Sequence, residues 1–252
     1  MGPMSLAASV TDSSLDLPPP YELITLREAG DAFAHACAIA GQRGAGTLIW
    51  VRRDDVAEFA VVLEPEEPLS KARRAIYAGM NAMAEALAVH APPSRPITFD
   101  WPDAIRVDGV LVGGGRLAWP EGALENEIPE WLVFSAMIRT AAVDADDPGL
   151  RPLLGSLDEL GFAAADPGDI IASFSRHLMT AFDEWSEGGF PPTGKRWLDH
   201  VTPHNTQNIE LADNGDLLVT GEGRGLAAGR HELATALARP SWLDPATGMP
   251  WL

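Results

Sequence analysis

The residues whose types best suit a small-molecule site lie in the stretch FDWPDAIRVDGVLVGGGRL. Trp101 stands between two acidic residues there, and three consecutive glycines, Gly113, Gly114 and Gly115, follow a run that is typical of a β-strand. Because glycine has no side chain, such a run allows the backbone to approach a ligand closely. A β-bulge or a close crossing of two strands also favours glycine, and the spacing alone does not distinguish these structures from a binding site.

The glycine run does not match the common nucleotide-binding loops. No Gly-Lys-Ser or Gly-Lys-Thr follows it, as a phosphate-binding P-loop requires. A dinucleotide-binding loop joins a strand to a helix, whereas Asp108-Gly109, just before the run, is a dipeptide that favours a two-residue hairpin turn. The stretch therefore predicts a β-hairpin that continues into a glycine-rich strand.

The acidic composition excludes several classes of partner. The chain has 36 acidic and 18 basic residues, a net charge of −18, so it lacks the excess of basic residues that binds nucleic acids or anionic membrane surfaces. No apolar run approaches the length of a transmembrane helix, and the single cysteine, Cys37, permits no internal disulfide. We therefore expect a cytoplasmic protein without a nucleic-acid or membrane partner.

The elements that must position this stretch predict an α/β fold, a mixed sheet flanked by helices. Runs rich in β-branched and aromatic residues alternate with segments whose apolar residues recur every three or four positions. The predicted helices begin at Arg27, Ser70 and Asp169, with Ser70 as an N-cap. The predicted strands outside the hairpin are Tyr21–Leu26, Gly46–Val51, Phe59–Glu64 and Glu130–Thr140.

The chain changes character near residue 190, where we place a domain boundary. Residues 1–20 are small and polar and end in prolines, which is typical of a disordered leader. Residues 21–190 form the α/β domain, and residues 191–252 form a small β-rich C-terminal module with a second hairpin turn at Asn214-Gly215. Its final residues include two tryptophans without a helical or strand period, and we expect them to pack over the main domain.

Aligned on Trp101-Pro102, the stretch resembles the central motif of the biotin and lipoate protein ligases. In biotin ligases that motif reads approximately Lys-Trp-Pro-Asn-Asp, then a short hairpin, then Gly-Arg-Lys-x-Ala-Gly. Asp103 stands at the position of the motif asparagine, and Gly113-Gly114 stand at the positions of the Ala-Gly pair. The order of elements is also similar, including a basic bend at Arg52-Arg53, and the resemblance covers approximately residues 20–190.

The resemblance implies a two-step acyl transfer. A small carboxylic acid, such as biotin or lipoate, attacks the α-phosphate of ATP with Mg²⁺, which gives an acyl-adenylate and pyrophosphate, and a lysine of a carrier domain then accepts the acyl group. Such a site must neutralise a carboxylate that meets a phosphate. The resemblance assigns Asp103 to Mg²⁺ or the nucleotide and the glycine run to the acyl slot, with the pocket between them, Trp101 and the Arg52-Arg53 bend.

The lysines of the family motif are absent from this chain. Leu111 stands where the family has the lysine before the Ala-Gly pair, and Asp100 stands where a lysine precedes Trp-Pro. The basic ligand loop of the family is shortened to VRRDDVAEF. An attacking carboxylate therefore lacks its usual partner.

Four arginines near the motif can replace the missing charge: Arg52, Arg53, Arg106 and Arg116. We expect Arg116 to do so, because it directly follows the glycine run and its guanidinium can bridge a carboxylate and a phosphate. Arg116 and Asp103 are thus the candidate catalytic residues, and the other arginines, Trp101 and the glycines are candidate binding residues. The sequence predicts a ligase, and the alternative is a non-catalytic protein that binds a small acid or nucleotide on the same scaffold.

Overall fold

A seven-stranded mixed sheet forms the centre of the computed structural model, which describes residues 15–142, 153–162, 166–201, 208–221 and 226–251. Residues 1–14 of the expected leader lie outside the described residues. The strands are β1 Glu22–Leu26, β2 Thr47–Val51, β3 Val56–Leu63, β4 Ile97–Asp100, β5 Ala104–Val107, β6 Val110–Ala118 and β7 Leu132–Arg139. Their order in the sheet is β1-β2-β3-β7-β6-β5-β4, in which β1 and β2 are parallel and the other neighbours antiparallel.

Helices pack on both faces of this sheet. Helix α1 (Ala32–Arg43) connects β1 to β2 and covers one face, while α3 (Ala75–His90) and α4 (Pro167–Gly188) cover the other. The central strands β3 and β7 are buried along nearly their whole length, as their continuous apolar runs require of strands covered on both sides. The predicted fold class, a mixed sheet flanked by helices, is confirmed.

The helix predicted from Ser70 is divided in two. A short α2 (Leu69–Ala72) precedes α3, and Ser70 lies inside α2 rather than at its cap. Pro68 occupies the N-cap position, and the backbone N–H of Ser70 donates to Glu125 at 3.0 Å. The serine N-cap prediction is wrong because a loop carbonyl, distant in sequence, satisfies the amide that a cap would otherwise serve.

The C-terminal part contains the small β-rich structure that the sequence predicts. Strands β8 (Asn208–Leu211), β9 (Leu217–Thr220) and β10 (Gly229–His231) form an antiparallel sheet, followed by α6 (Leu233–Leu237). Gly215, in the predicted hairpin turn, has a φ of 84°.

Helix α5 (Phe190–Asp199) precedes this small sheet, where the sequence predicts β-rich structure. Its Trp197 is fully buried in the core of the main domain, with its ring centroid 5.1 Å from that of Tyr77. The domain boundary near residue 190 stays a prediction. Among the described residues, no helix combines the length and apolarity needed to cross a membrane.

Candidate functional site

Three polar side chains share the face of the sheet on which helix α1 packs, called the α1 face below. They are Glu58 on β3, Arg116 on β6 and Ser135 on β7, which are adjacent strands. Arg116 is paired with Ser135 across the ladder, and side chains at paired positions of neighbouring strands lie on one face. The ring of Phe33, from α1, lies over the guanidinium of Arg116, 4.2 Å from its central carbon.

Arg116 is a partly buried cation with two buried donor nitrogens. Its Nε and Nη2 have no hydrogen-bond partner among the described residues. Burial lowers the pKa of Arg116, while the nearby carboxylates of Asp31 and Glu58 raise it. An arginine remains protonated under such a shift, so the α1 face carries a partly buried positive charge whose Nε and Nη2 donors have no partner among the described residues.

Glu58 is held at the N-terminus of helix α1. Its Oε1 accepts a hydrogen bond from the backbone N–H of Ala32 at 3.0 Å, and its Oε2 lies 3.9 Å from Nη1 of Arg53. Burial raises the pKa of Glu58, against the effects of this amide and of Arg53. Arg53 also donates two hydrogen bonds to Asp55, at 3.0 and 2.9 Å.

The three glycines of β6 are in close contact with protein atoms. A Cβ at Gly113 would lie 1.9 Å from the carbonyl oxygen of Met137, and one at Gly114 would lie 2.1 Å from that of Asp103. A Cβ at Gly115 would meet the sulfur of Met80 at 3.0 Å on the opposite face. A register shift next to these residues, in the pairing of β5 with β6, is the β-bulge considered as an alternative above.

Asp103 is fully buried beside the glycine strand. Its Oδ1 accepts a hydrogen bond from the hydroxyl of Ser241 at 2.9 Å, and its Oδ2 has no hydrogen-bond partner among the described residues. Burial raises the pKa of Asp103 to about 7, although the hydrogen bonds from Ser241 lower it. As arranged here, Asp103 offers no exposed oxygen to Mg²⁺, and the described residues contain no cluster of three metal-ligating side chains.

The other predicted binding residues lie apart from Arg116. Arg52 is exposed, with its guanidinium 5.8 Å from the ring of Trp50. Arg106 donates to Asp100 at 2.7 Å on the outer strands. The indole of Trp101 donates to the hydroxyl of Tyr77 at 2.8 Å and packs against the core cluster of α3 and α4, on the face away from α1. The fold therefore places Arg116 and Arg53 so that both act electrostatically on Glu58. Arg106 and Trp101 lie elsewhere, paired with Asp100 and Tyr77.

Several residues at this site were not predicted, and Glu58 and Trp242 show why. Glu58 carries the signal of a lone charge inside the apolar strand VAEFAVVL, which is unusual for a buried strand unless the charge is paired. Trp242 lies fully buried against the glycine strand, and its Nε1 donates to the carbonyl of Gly115 at 3.0 Å. Its contact agrees with the expectation that the final residues pack over the main domain, but nothing in the local sequence indicates which strand it meets.

The sequence matches the model of the biotin/lipoate A/B protein ligase family over residues 17–199. No curated protein matches it. Among solved structures, a biotin protein ligase-like protein of unknown function from Silicibacter sp. TM1040 is 23% identical and has a TM-score of 0.77; the match covers 90% of this chain and 100% of that one.

Biotin protein ligases share the same fold. A point mutant of the enzyme from Aquifex aeolicus, in complex with biotin, is 14% identical with a TM-score of 0.63, over 84% of this chain and 96% of that one. The Aquifex aeolicus enzyme in complex with biotin and ATP is 14% identical with a TM-score of 0.59, over 80% and 93%. Since the family model spans most of the sequence, the chain belongs to the biotin/lipoate A/B protein ligase family.

Proposed function

We propose that the chain binds a small carboxylic acid on the α1 face of the sheet, with Arg116 as the partner of the carboxylate. The observation that supports this most strongly is that two nitrogens of the Arg116 guanidinium are buried without a hydrogen-bond partner among the described residues. A buried charge without a partner is destabilising, and a guanidinium binds a carboxylate through two parallel hydrogen bonds. A bound acid supplies the acceptors that Arg116 lacks.

The surroundings of Arg116 suit such a ligand. Two carboxylates act on Arg116, those of Asp31 and Glu58. Asp31 accepts a hydrogen bond from the backbone N–H of Ala34, while the oxygens of Glu58 are engaged by the Ala32 amide and approached by Arg53. Both carboxylates thus interact with other groups, and neither forms a hydrogen bond with the two buried nitrogens of Arg116. The ring of Phe33 adds an apolar wall beside the guanidinium, which suits a ligand with a hydrocarbon part next to its carboxylate.

An ATP-dependent ligase is the second candidate, supported by family membership. In that reaction a carboxylate oxygen attacks the α-phosphorus of ATP, pyrophosphate leaves, and the amine of a carrier-domain lysine then displaces AMP. Solved relatives contain biotin with ATP, and biotinyl-5-AMP in the enzyme from Leishmania major. We rank acid binding above catalysis for two reasons. Leu111 brings no charge to the position of the motif lysine, and the carboxyl of Asp103 is hydrogen-bonded to Ser241.

The proposed binding is tested by calorimetric titration with biotin, lipoate and octanoate. We expect Arg116→Met to weaken binding by about 30-fold or more, since removing one partner of a desolvated ion pair costs about 2 kcal/mol or more. Arg116→Lys should restore part of the affinity because it keeps the charge without the planar fork. Arg106→Met is the matched control, because Arg106 is already paired with Asp100. Equal affinity of Arg116→Met and wild type would refute the proposal.

Release of pyrophosphate separates the two functions. With Mg-ATP and an acid that binds, a ligase releases pyrophosphate and transfers the acyl group to an added biotinyl or lipoyl carrier domain. A protein that only binds the acid shows the same titration with and without Mg-ATP and releases none. Mg²⁺ enters this test with ATP, because the fully buried Asp103 offers it no exposed oxygen.

A further inference from the structure

The C-terminal segment, residues 240–251, covers the part of the α1 face that helix α1 leaves open. Its Trp242 is fully buried in a small cluster of apolar side chains contributed by four strands of the sheet. The sheet residues in this cluster are Val56, Ala104, Leu111 and Met137. Leu111 occupies the position of the motif lysine, so the segment covers the place where the family motif predicts the reacting carboxylate.

The indole of Trp242 occupies the space that the glycine run leaves open. A Cβ at Gly114 would lie 2.3 Å from Cδ1 and 2.5 Å from Nε1 of this ring, so only glycine allows the ring to lie against the strand. Nε1 donates to the carbonyl of Gly115 at 3.0 Å. A flat ring with one N–H donor, packed on a strand without side chains, is how a heterocyclic ligand would bind there.

Three further polar contacts join the segment to the main domain, and two of them are made to residues of the candidate site. Ser241 donates to Asp103, Met249 accepts from Arg53 at 3.2 Å, and the carbonyl of Pro250 accepts from Arg139 at 2.9 Å. Asp103 and Arg53 are both candidate ligand-binding residues. The segment thus engages groups that an anionic ligand would use.

The segment also has a structure of its own. Leu243 and Pro250 form an antiparallel bridge, and the backbone N–H of Trp251 donates to the carbonyl of Trp242 at 3.0 Å. The N–H of Asp244 donates to Met249 at 2.8 Å. These hydrogen bonds are internal, so the segment can leave the sheet without losing them.

We propose that the C-terminal segment is an internal occupant of the ligand slot, in which Trp242 takes the place of a flat ring of the ligand. Binding of the acid then requires displacement of the segment, which keeps the slot closed to water and to weak ligands. The displacement of the segment by an acid rests on the proposed function. The existence of a slot that fits a flat ring, now filled by Trp242, does not depend on it. A permanent cover that never leaves the slot is the alternative.

The slot is tested first with indole, independently of any acid. Trp242→Ala should lower the melting temperature, and free indole should raise it again in a dose-dependent manner, because a cavity with apolar walls binds a ligand of matching shape. Benzothiophene, which lacks the N–H, should give a smaller rise. Wild type and Trp251→Ala, a control at an exposed tryptophan of the same segment, should not respond. A folded Trp242→Ala variant that indole does not stabilise would overturn the slot.

Competition is tested by titration with biotin, which carries both a carboxylate and a ring that would replace the indole. We expect Trp242→Ala to bind at least tenfold more tightly than wild type and Trp251→Ala. Equal affinity of the three proteins would overturn the displacement and support a permanent cover. If none of the three proteins binds an acid but indole stabilises Trp242→Ala, the proposed function is wrong while the proposed ring-binding slot is supported.

Hydrogen exchange of the wild type covers the case in which Trp242→Ala does not fold. With biotin at saturation, the indole N–H of Trp242, which donates to the sheet at Gly115, should exchange at least tenfold faster than without it. The backbone N–H of Trp251 is the internal control, because its hydrogen bond lies within the segment and should keep its protection. Unchanged exchange of the indole N–H at saturation would overturn the displacement.

Discussion

At the scale of single residues, Asp103 is the side chain whose burial has the clearest thermodynamic consequence. It lies at 0% exposure with one oxygen unpaired among the described residues, and burial raises its pKa from an ordinary 3.8 to about 7. In the unfolded chain the carboxyl releases its proton near pH 4, whereas in the folded chain it keeps the proton up to about pH 7. The folded state therefore binds more protons between these values, and the contribution of Asp103 to stability falls as the pH rises through this window.

We predict that Asp103→Asn, which restores the residue type of the family motif, removes this pH dependence. Between pH 4 and pH 7 the variant should gain up to about 4 kcal/mol relative to wild type, from 1.36 kcal/mol per pKa unit. The amide oxygen can still accept from Ser241. Urea unfolding of both proteins across this range measures the difference, and parallel profiles for the two would show that Asp103 ionises normally in the folded protein.

At the scale of elements, helix α3 lies unusually close to the sheet at Gly79. A Cβ there would lie 2.2 Å from Cε2 of Phe134 on β7. Phe134 cannot move freely, because its ring stacks on that of Phe174 from α4, with centroids 5.5 Å apart. The glycine thus sets the separation between helix α3 and strand β7, which carries Ser135 of the candidate site.

We predict that Gly79→Ala destabilises the protein, although alanine favours a helix by about 1 kcal/mol over glycine. Overpacking of a core typically costs about 1–3 kcal/mol, so the net loss should be up to about 2 kcal/mol in the free energy of unfolding. Ala88→Gly, at an exposed position of the same helix, is the control and should lose about 1 kcal/mol from helix propensity alone. A Gly79→Ala variant more stable than wild type would contradict this prediction and show that the ring of Phe134 moves aside at little cost.

At the scale of the whole molecule, the net charge of −18 opposes folding through repulsion among surface carboxylates. Opposite charges also pair at the surface, for example Arg43 with Glu22 and Lys195 with Asp199, but these pairs are more than half exposed. Exposed pairs contribute little to stability. The repulsion should therefore dominate the response to salt.

We predict that the melting temperature rises when the ionic strength increases from about 0.01 M to about 0.15 M, because the screening length falls from about 30 Å to about 8 Å. Differential scanning calorimetry measures the shift. Sodium chloride and choline chloride should give similar rises if screening is the cause, since a specific cation site would respond to one of them. A fall in both salts would mean that ion pairs outweigh the net repulsion.

The sequence by itself was enough to predict the Asp108-Gly109 turn, the hairpin that continues into the glycine-rich strand, and the family. The Asp108-Gly109 turn was predictable because its residues themselves tolerate a positive φ, which is 51° at Asp108 and 82° at Gly109. The pairing of Trp-Pro with a glycine run was enough to indicate the ligase fold, which the family match confirms. Such signals are local, since each depends on the conformational preferences of a few neighbouring residues.

Only the tertiary structure decided which side chains meet. Arg116 lies under Phe33 of α1, Glu58 lies between the Ala32 amide and Arg53, and Trp242 lies against Gly114. These partners are far apart in the chain, and their contacts depend on the crossover of α1 and on the return of the C-terminal segment to the sheet. The physical reason is that a glycine run without side chains lets many kinds of group approach it, so which group packs there is set by the path of the chain and not by the run itself.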